Sequence, residues 1–420
     1  MKNYLILISL MLILFSCASN NEKKDLYSQK IEIKVINPLD MQRNDQPVGI
    51  KLAKFKEKYK NFNENNCIVT LNNSEIPHQI VDHNGDGKAD GLLFLLNIKP
   101  KEELTVVVKY NESGKSTHNY PKRTQAEISR KFGGTWKDHK YINGGPFKNV
   151  DFTRVPDENS DHSFLYRYEG PGWESDKIGY RFYLDWRNAI DIYGKKTSAM
   201  VLQNVGQDGY ESYHNMNNWG MDILKVGNSL GMGSIGMWYS GKVQMVSKVD
   251  STTCKIAING PLCSAIVTNY YGWAAGDNKY NLKSRLSIKA GSRLTRHDLK
   301  INPQADNLCT GLVKDKNAEP ITPDENSSSG NWTYLAQYGK QSLNNDNLGM
   351  AVLYKKSDLL KLTEDDLSRI VVLKPKEGDL SYYFLAAWEL EPGGITNKKD
   401  FKNYLQQLTQ KMNNPVKIVF

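Results

Sequence analysis

The stretch YRYEGPGWESDKIGYRFYLDWRNAIDIYGKKT, residues 166–197, carries aromatic side chains interleaved with charged ones. A two-residue period is that of a β-strand. One face then meets a core, and the other a charged, aromatic cleft. The density continues through VLQNVGQDGYESYHNMNNWGMDILKVGNSLG, residues 201–231. Together the two blocks hold Trp173, Trp186 and Trp219, the guanidinium groups of Arg167, Arg181 and Arg187, the carboxylates Glu174, Asp185, Asp191 and Asp222, and His214. No other part of the chain is so rich in groups that bind sugars and move protons.

From residue 136 onward the pattern is mostly short strands broken by Gly, Asn and Asp turns. SFLYRYEG, IGYRFYLDW, SIGMWYSG, SAIVTNYYGW, LTRHDLKI and YYFLAAWEL are examples. Many strands of similar length, without a long helical period, predict a large antiparallel β-sandwich over residues 121–420. One helix is expected near the end, over residues 398–412, where Phe401, Leu405 and Leu408 recur at helical spacing. Residues 31–120 read as a smaller β domain. IEIKVIN alternates apolar and polar, and CIVTL, IPHQIV, GLLFLLNI and LTVVVKY follow. The polar joint between the domains includes a short predicted helix over 125–131, closed by Gly133-Gly134. Residues 320–329 read as an exposed loop, and DILKVGNSLG, residues 222–231, as a loop lying on one face.

The N-terminus has the character of an export signal. Lys2 precedes an apolar run from Tyr4 to Phe15, too short to span a membrane, and the run ends in Leu14-Phe15-Ser16-Cys17. This matches a bacterial lipobox. Cys17 would be the lipidated first residue of the mature chain, and residues 18–30 a flexible tether. The tether has no acidic run, which favours an anchor facing the periplasm of a Gram-negative envelope. An ordinary secretory signal is the alternative. The remaining cysteines, Cys67, Cys254, Cys263 and Cys309, show neither CxxC pairs nor zinc spacing. They read as buried thiols, with a Cys254–Cys263 hairpin pair as the alternative.

The net charge of +9 favours an anionic partner. Its basic residues are scattered and form no nucleic-acid motif, so an anionic oligosaccharide fits better than DNA or RNA. Phosphate loops, dinucleotide fingerprints, HExxH and GxSxG are absent, and no cofactor is required on this reading. Asp82-His-Asn-Gly-Asp-Gly-Lys-Ala-Asp90 has oxygen-bearing residues at alternate positions. Asp82, Asn84, Asp86 and Asp90 would be the side-chain ligands of a structural calcium. The terminal Glu of an EF-hand is missing, and a tight Asn-Gly/Asp-Gly hairpin turn is the competing reading.

For chemistry, His214 is the leading candidate for proton transfer, with Tyr213 beside it. Glu174, next to Trp173 on a Gly/Pro loop, is a candidate acid or hydroxyl binder, against a purely structural ion pair. Trp173 and Trp219 offer stacking faces, and Asn215 a hydroxyl partner. Arg181 and Arg187 are candidate binders of a substrate carboxylate, unless Asp185 or Asp191 neutralises them. Asp222 reads as the ion-pair partner of Lys225. His139, His162 and His297 read as surface or capped histidines.

The blocks YEGPGWESDKIGYRFYLDWRNAIDIYGKKT, YHNMNNWGMDILKVGNSLGMGSIGMW and IPHQIVDHNGDGKADGLLFLL resemble the lipoprotein family of domain of unknown function 4861. The chain departs from it at Gly91-Leu92, after Asp90, where the family places Asp-Glu. The resemblance implies a galactose-mutarotase-like β-supersandwich, a setting among polysaccharide-degrading enzymes, and an oligosaccharide dehydratase activity. That activity removes water from a non-reducing-end uronic acid of ulvan-type chains and leaves a 4,5-unsaturated sugar. Such an elimination would use Arg181 or Arg187 on the carboxylate, His214 or a Tyr as base, and Tyr213 or Glu174 as acid. A glycoside hydrolase built on Glu174 with Asp185 or Asp191, and a non-catalytic glycan-binding lipoprotein, are the alternatives.

Overall fold

The computed structural model describes residues 26–83, 85–324 and 330–420. In the strand Gln29–Ile36, Ile31, Ile33 and Val35 are buried and the residues between them face out. This strand pairs antiparallel with Glu103–Tyr110, and that strand in turn with Cys67–Leu71. A facing sheet of three strands is ordered Arg43–Lys51, Gly91–Ile98, His78–Val81. Val48, Phe94, Val106 and Val108 fill the space between the two sheets. The continuous apolar run GLLFLLNI has a second function: Leu93 leaves this core and packs on Leu262 and Cys263 of the larger unit. Gln79 fixes the same contact, its Oε1 accepting from the backbone N–H of Leu262 and of Cys263 at 2.9 Å each.

The larger unit is an antiparallel β-sandwich, as expected. Among the described residues, a nine-stranded sheet runs from Phe152–Arg154 at one edge to Ala318–Ile321 at the other. One face of it shares a core with a six-stranded and a five-stranded sheet. The strand Asp379–Trp388 shows how sequence parity sets the layers. Tyr382, Phe384, Ala386 and Trp388 enter the sandwich core, while Leu385 and Ala387 face the other way. There they are covered by the helix Lys398–Asn413 through Phe401 and Leu405. Asn397 caps that helix, its side chain accepting from the Asp400 N–H at 2.9 Å.

Three sequence-based expectations change. Residues 125–131 are not helical: Thr124–Arg130 is a strand between Lys148–Val150 and Gly172–Ser175. Its Ala, Glu and Arg favour a helix, but pairing on both edges and burial of Ala126 and Ile128 override that preference. The segment 222–231 is not a surface loop, because Ile223, Leu224, Val226 and Leu230 are buried. Ala318–Ile321 is an edge strand, so the loop there begins later, and 325–329 lie outside the described residues. The four thiols Cys67, Cys254, Cys263 and Cys309 are buried and unpaired, and Cys254 faces Thr268 across its ladder, not Cys263. The chain also returns to its beginning. Lys417–Val419 pairs with Gln29–Ile36, and the Arg43 guanidinium donates to the Asn414 carbonyl.

Trp388 ties the sandwich layers together. Its ring is fully buried against Gly194, where a Cβ would sit 2.5 Å from it, and its Nε1 donates to Asp346 at 2.6 Å. Trp388→Ala is expected to cost about 3–5 kcal/mol, read as a lower midpoint in denaturant unfolding. An unchanged midpoint would remove Trp388 from this role.

Candidate functional site

The site is built on the six-stranded sheet. Its register aligns Glu127, Gly172, Arg181 and Asp191 in one row across four strands. The adjacent row holds Gln125, Glu174, Gly179, Tyr193 and Asp222. Residues two apart on a strand share a face, so one side of this sheet carries Glu127, Glu174, Arg181, Asp191, Tyr193 and Asp222. A row this crowded needs gaps, and the glycines supply them. A Cβ at Gly172 would lie 2.9 Å from the Tyr168 hydroxyl, and one at Gly179 would lie 3.1 Å from Tyr193. The opposite face is apolar. Trp173 is buried there, stacked on Tyr180, with Nε1 donating to Thr295 at 2.9 Å. Trp173 therefore has no free face for a sugar.

Arg181 lies at the centre and is fully buried. It donates to Asp191 at 2.9 Å, Asp222 at 2.6 Å, the Tyr213 hydroxyl at 2.9 Å and the Tyr168 carbonyl at 3.2 Å. Its guanidinium also lies 4.8 to 5.5 Å from the ring centres of Tyr183, Tyr193 and Tyr213. Its charge is thus matched inside the protein, and it does not meet solvent. Asp222 is matched by Arg181, not by Lys225. Burial and the neighbouring Asp222 carboxylate push the Asp191 pKa up. The Tyr183 hydroxyl donates to Asp191 at 2.6 Å. Tyr193, equally buried, has a hydroxyl with no hydrogen-bond partner.

Glu174 is completely buried as well. One oxygen accepts from Lys195 at 2.5 Å, and the other from the backbone N–H of Val201 and Leu202 at 2.8 and 2.9 Å. Burial raises its pKa despite these partners. The carboxylate clamps the 201–205 segment over the sheet. Its partner is Lys195, and neither Lys177 nor Arg181 bonds to it.

The 201–219 segment closes the polar face and brings part of the site to the surface. Tyr213 is buried, and its ring centre lies 4.6 Å from that of His214. The His214 side chain is 40% exposed, with Nε2 at 3.4 Å from Asp222 Oδ2. The hydrogen bond to Asp222 raises the His214 pKa. Trp219 is half-buried against Tyr193, and Asn215 is exposed, donating to the Glu211 carbonyl at 3.2 Å. Arg187, 13% exposed, forms a second ionic group with Asp185, Glu169 and Asp161. Glu169 links the two groups, lying 3.7 Å from Arg181 and 2.8 Å from Arg187. His162, read from sequence as an ordinary surface histidine, belongs to this group through Asp161 at 2.7 Å. Asp161, His162 and Glu169 are close enough to chelate an ion. Arg187 already provides the positive charge among them.

The 82–90 loop stands apart from this site. Asp82 accepts from the N–H of Gly85 and Gly87 at 2.6 and 2.7 Å, Asp86 from Lys88 at 2.8 Å, and Asp90 from His83 at 2.8 Å. These bonds brace the loop that joins His78–Val81 to Gly91–Ile98, and Asn84 lies outside the described residues. Cys17 also lies outside them. Sequence reasoning missed Glu127 and Lys195. Glu127 binds Arg167 and accepts from the Tyr168 hydroxyl at 2.7 Å. Lys195 could have been found from the parity of Asp191, Tyr193 and Lys195 in one strand.

Fold and site together define an antiparallel β-sandwich protein with an accessible histidine resting on a buried carboxylate–arginine group. Residues 35–418 match the family model described as Domain of unknown function (DUF4861), and the chain belongs to that family. It is similar to the uncharacterized protein P7 of Formosa agariphila, with 22% identity over 432 residues, covering 96% of this chain and 95% of that one. Among solved structures it is similar to a protein in the glycosyl hydrolase family 38 from Enterococcus faecalis, with TM-score 0.44, 9% identity and 92% of this chain covered. An α-mannosidase from Enterococcus faecalis V583 matches with TM-score 0.47, 9% identity and 93% coverage. This chain spans about half the length of those two structures, 47% and 46%.

Asp222→Asn removes the charge that holds the proton on His214. The His214 titration midpoint should then fall toward the ordinary value of about 6.5, as followed by NMR of the ring carbon-bound protons. A midpoint that does not move would mean that Asp222 does not control His214.

Proposed function

We propose that this protein is a hydro-lyase acting on anionic oligosaccharides of the ulvan type. It removes water from the non-reducing-end uronic acid and leaves a 4,5-unsaturated sugar. The observation that carries this reading is the exposed His214 ring on the buried Asp222–Arg181–Asp191 group. The family resemblance supplies the reaction, and the charged, tyrosine-ringed site supplies groups suited to it.

The elimination breaks the C5–H and C4–O bonds and forms a C4–C5 double bond. The C5 proton becomes removable when a cation balances the adjacent carboxylate. Arg187 is our choice for that cation, because it is the more accessible of the two candidate arginines. His214 takes the C5 proton as general base. Tyr213 and Glu174 are buried, so in this reading His214 also returns the proton to the departing hydroxyl, which leaves as water. Tyr213 then acts by positioning, holding the imidazole against Asp222. Burial also weighs against the hydrolase alternative, since Glu174, Asp185 and Asp191 are all withdrawn from solvent. No resident cofactor takes part. We also propose that the protein is anchored through lipidated Cys17, faces the periplasm, and works beside other polysaccharide-degrading enzymes.

Incubation with oligosaccharides ending in glucuronyl–rhamnose should produce the ultraviolet absorbance of a conjugated enoate and a product lighter by one water. Recovery of intact substrate by mass spectrometry would sink the proposal. His214→Ala should lower kcat by about 10²-fold or more. The base form of His214 must be neutral, and its pKa is raised. The rate should therefore climb with pH through a midpoint above about 6.5. A flat profile across that range would exclude His214 as the base.

A further inference from the structure

The helix Leu52–Lys58 and its flanks read KLAKFKEKYK over residues 51–60, five lysines against one carboxylate, Glu57. Leu52 and Phe55 are buried in the core of the small unit, and all five lysines are exposed. Glu64 pairs with Lys56 at 2.8 Å. Lys51, Lys54, Lys58 and Lys60 have no ion-pair partner among the described residues. Lys54 and Lys58 stand one helical turn apart, a spacing at which like charges repel. The segment therefore carries positive charge that the protein does not balance.

This segment lies beside the point where the tether enters. Phe55 stacks on Phe62 with ring centres 4.7 Å apart, and Phe62 meets Tyr110 edge-on at 5.1 Å. The next residue, Asn111, accepts from the Ser28 N–H at 2.9 Å and donates to the Leu26 carbonyl at 3.0 Å. Two ring contacts and one side chain thus link the lysine-bearing helix to Leu26. Between Leu26 and Cys17, residues 18–25 can bridge at most about 30 Å. A lipid on Cys17 keeps this end of the small unit within that distance of the bilayer. We infer that the 51–60 segment is a membrane-facing surface, and that its lysines bind the anionic phospholipid headgroups of the leaflet that holds the anchor. Each lysine close to such a surface strengthens attachment about five-fold. The acyl chains set how far the protein can stray, and the lysines set which face it presents. This assignment rests on the proposed anchoring through Cys17.

The test uses the mature protein in two kinds of vesicle, phosphatidylethanolamine with phosphatidylglycerol and phosphatidylethanolamine with phosphatidylcholine. Amine acylation read by mass spectrometry reports each lysine separately. Labelling of Lys51, Lys54, Lys58 and Lys60 should fall about five-fold in the anionic vesicles and recover in high salt. Lys361, on the edge strand Leu359–Glu364 of the sandwich, should be labelled equally in both. Lys54→Gln, Lys58→Gln and Lys60→Gln together should restore labelling of Lys51. The mass of the N-terminal peptide reads the anchor independently. A lipidated protein whose four lysines are labelled equally in both vesicles overturns the surface and leaves the anchor standing. Protection without a lipid on Cys17 does the reverse, and neither lipid nor protection overturns both. Equal protection of Lys361, or protection by a soluble sulfated polysaccharide and not by vesicles, also overturns the surface.

Discussion

A guanidinium removed from water must have its charge and all its N–H groups satisfied, and Arg181 imposes that constraint on everything around it. Its two carboxylate partners come from two further strands of the same sheet, so the register of three strands is tied to one cation. Removing one partner of such a buried group typically costs about 3–5 kcal/mol. The tyrosine rings around Arg181 exclude water and so strengthen the electrostatics within. The 201–219 segment has to lie over the sheet to complete that shell, and Glu174 holds its start in place. The position of His214 at the surface follows from this chain of requirements.

The polar face thus separates into a buried part that fixes geometry and an exposed part that meets solvent. Arg181, Glu174, Asp191 and Tyr213 belong to the first. His214, Trp219, Asn215, Asp161 and His162 belong to the second, with Arg187 at the boundary. Backbone strain lies along that boundary. His162, Phe164, Tyr168 and Glu169 all have positive φ between 40° and 67°, and such conformations persist only where surrounding contacts hold them.

The sandwich class was legible because strand parity survives without knowledge of the partners. The alternation in IGYRFYLDW and YYFLAAWEL is enough to tell core from cover. Individual side chains were harder to place. Trp173 and Glu174 follow Gly170-Pro171-Gly172, which breaks the alternation, so their faces could not be counted from a neighbouring strand. Trp173 proved to be core, and Glu174 a clamp. Asp222 looked like the mate of nearby Lys225, while its true partner lies 41 residues away in sequence. Glu127 sat in a segment of helical composition that sheet pairing converted into a strand. Local pattern reports which face is polar, and only the register reports which polar groups meet.

The pairing of Lys417–Val419 with Gln29–Ile36 gives the chain a temporal asymmetry. A ribosome makes the small sheet first, yet among the described residues the outer edge of its Gln29–Ile36 strand meets its neighbour only when Lys417–Val419 arrives. Through the synthesis of the whole sandwich, that edge presents open N–H and C=O groups. The alternating Glu32 and Lys34 keep its outward side chains polar during the wait, which discourages another chain from adding there.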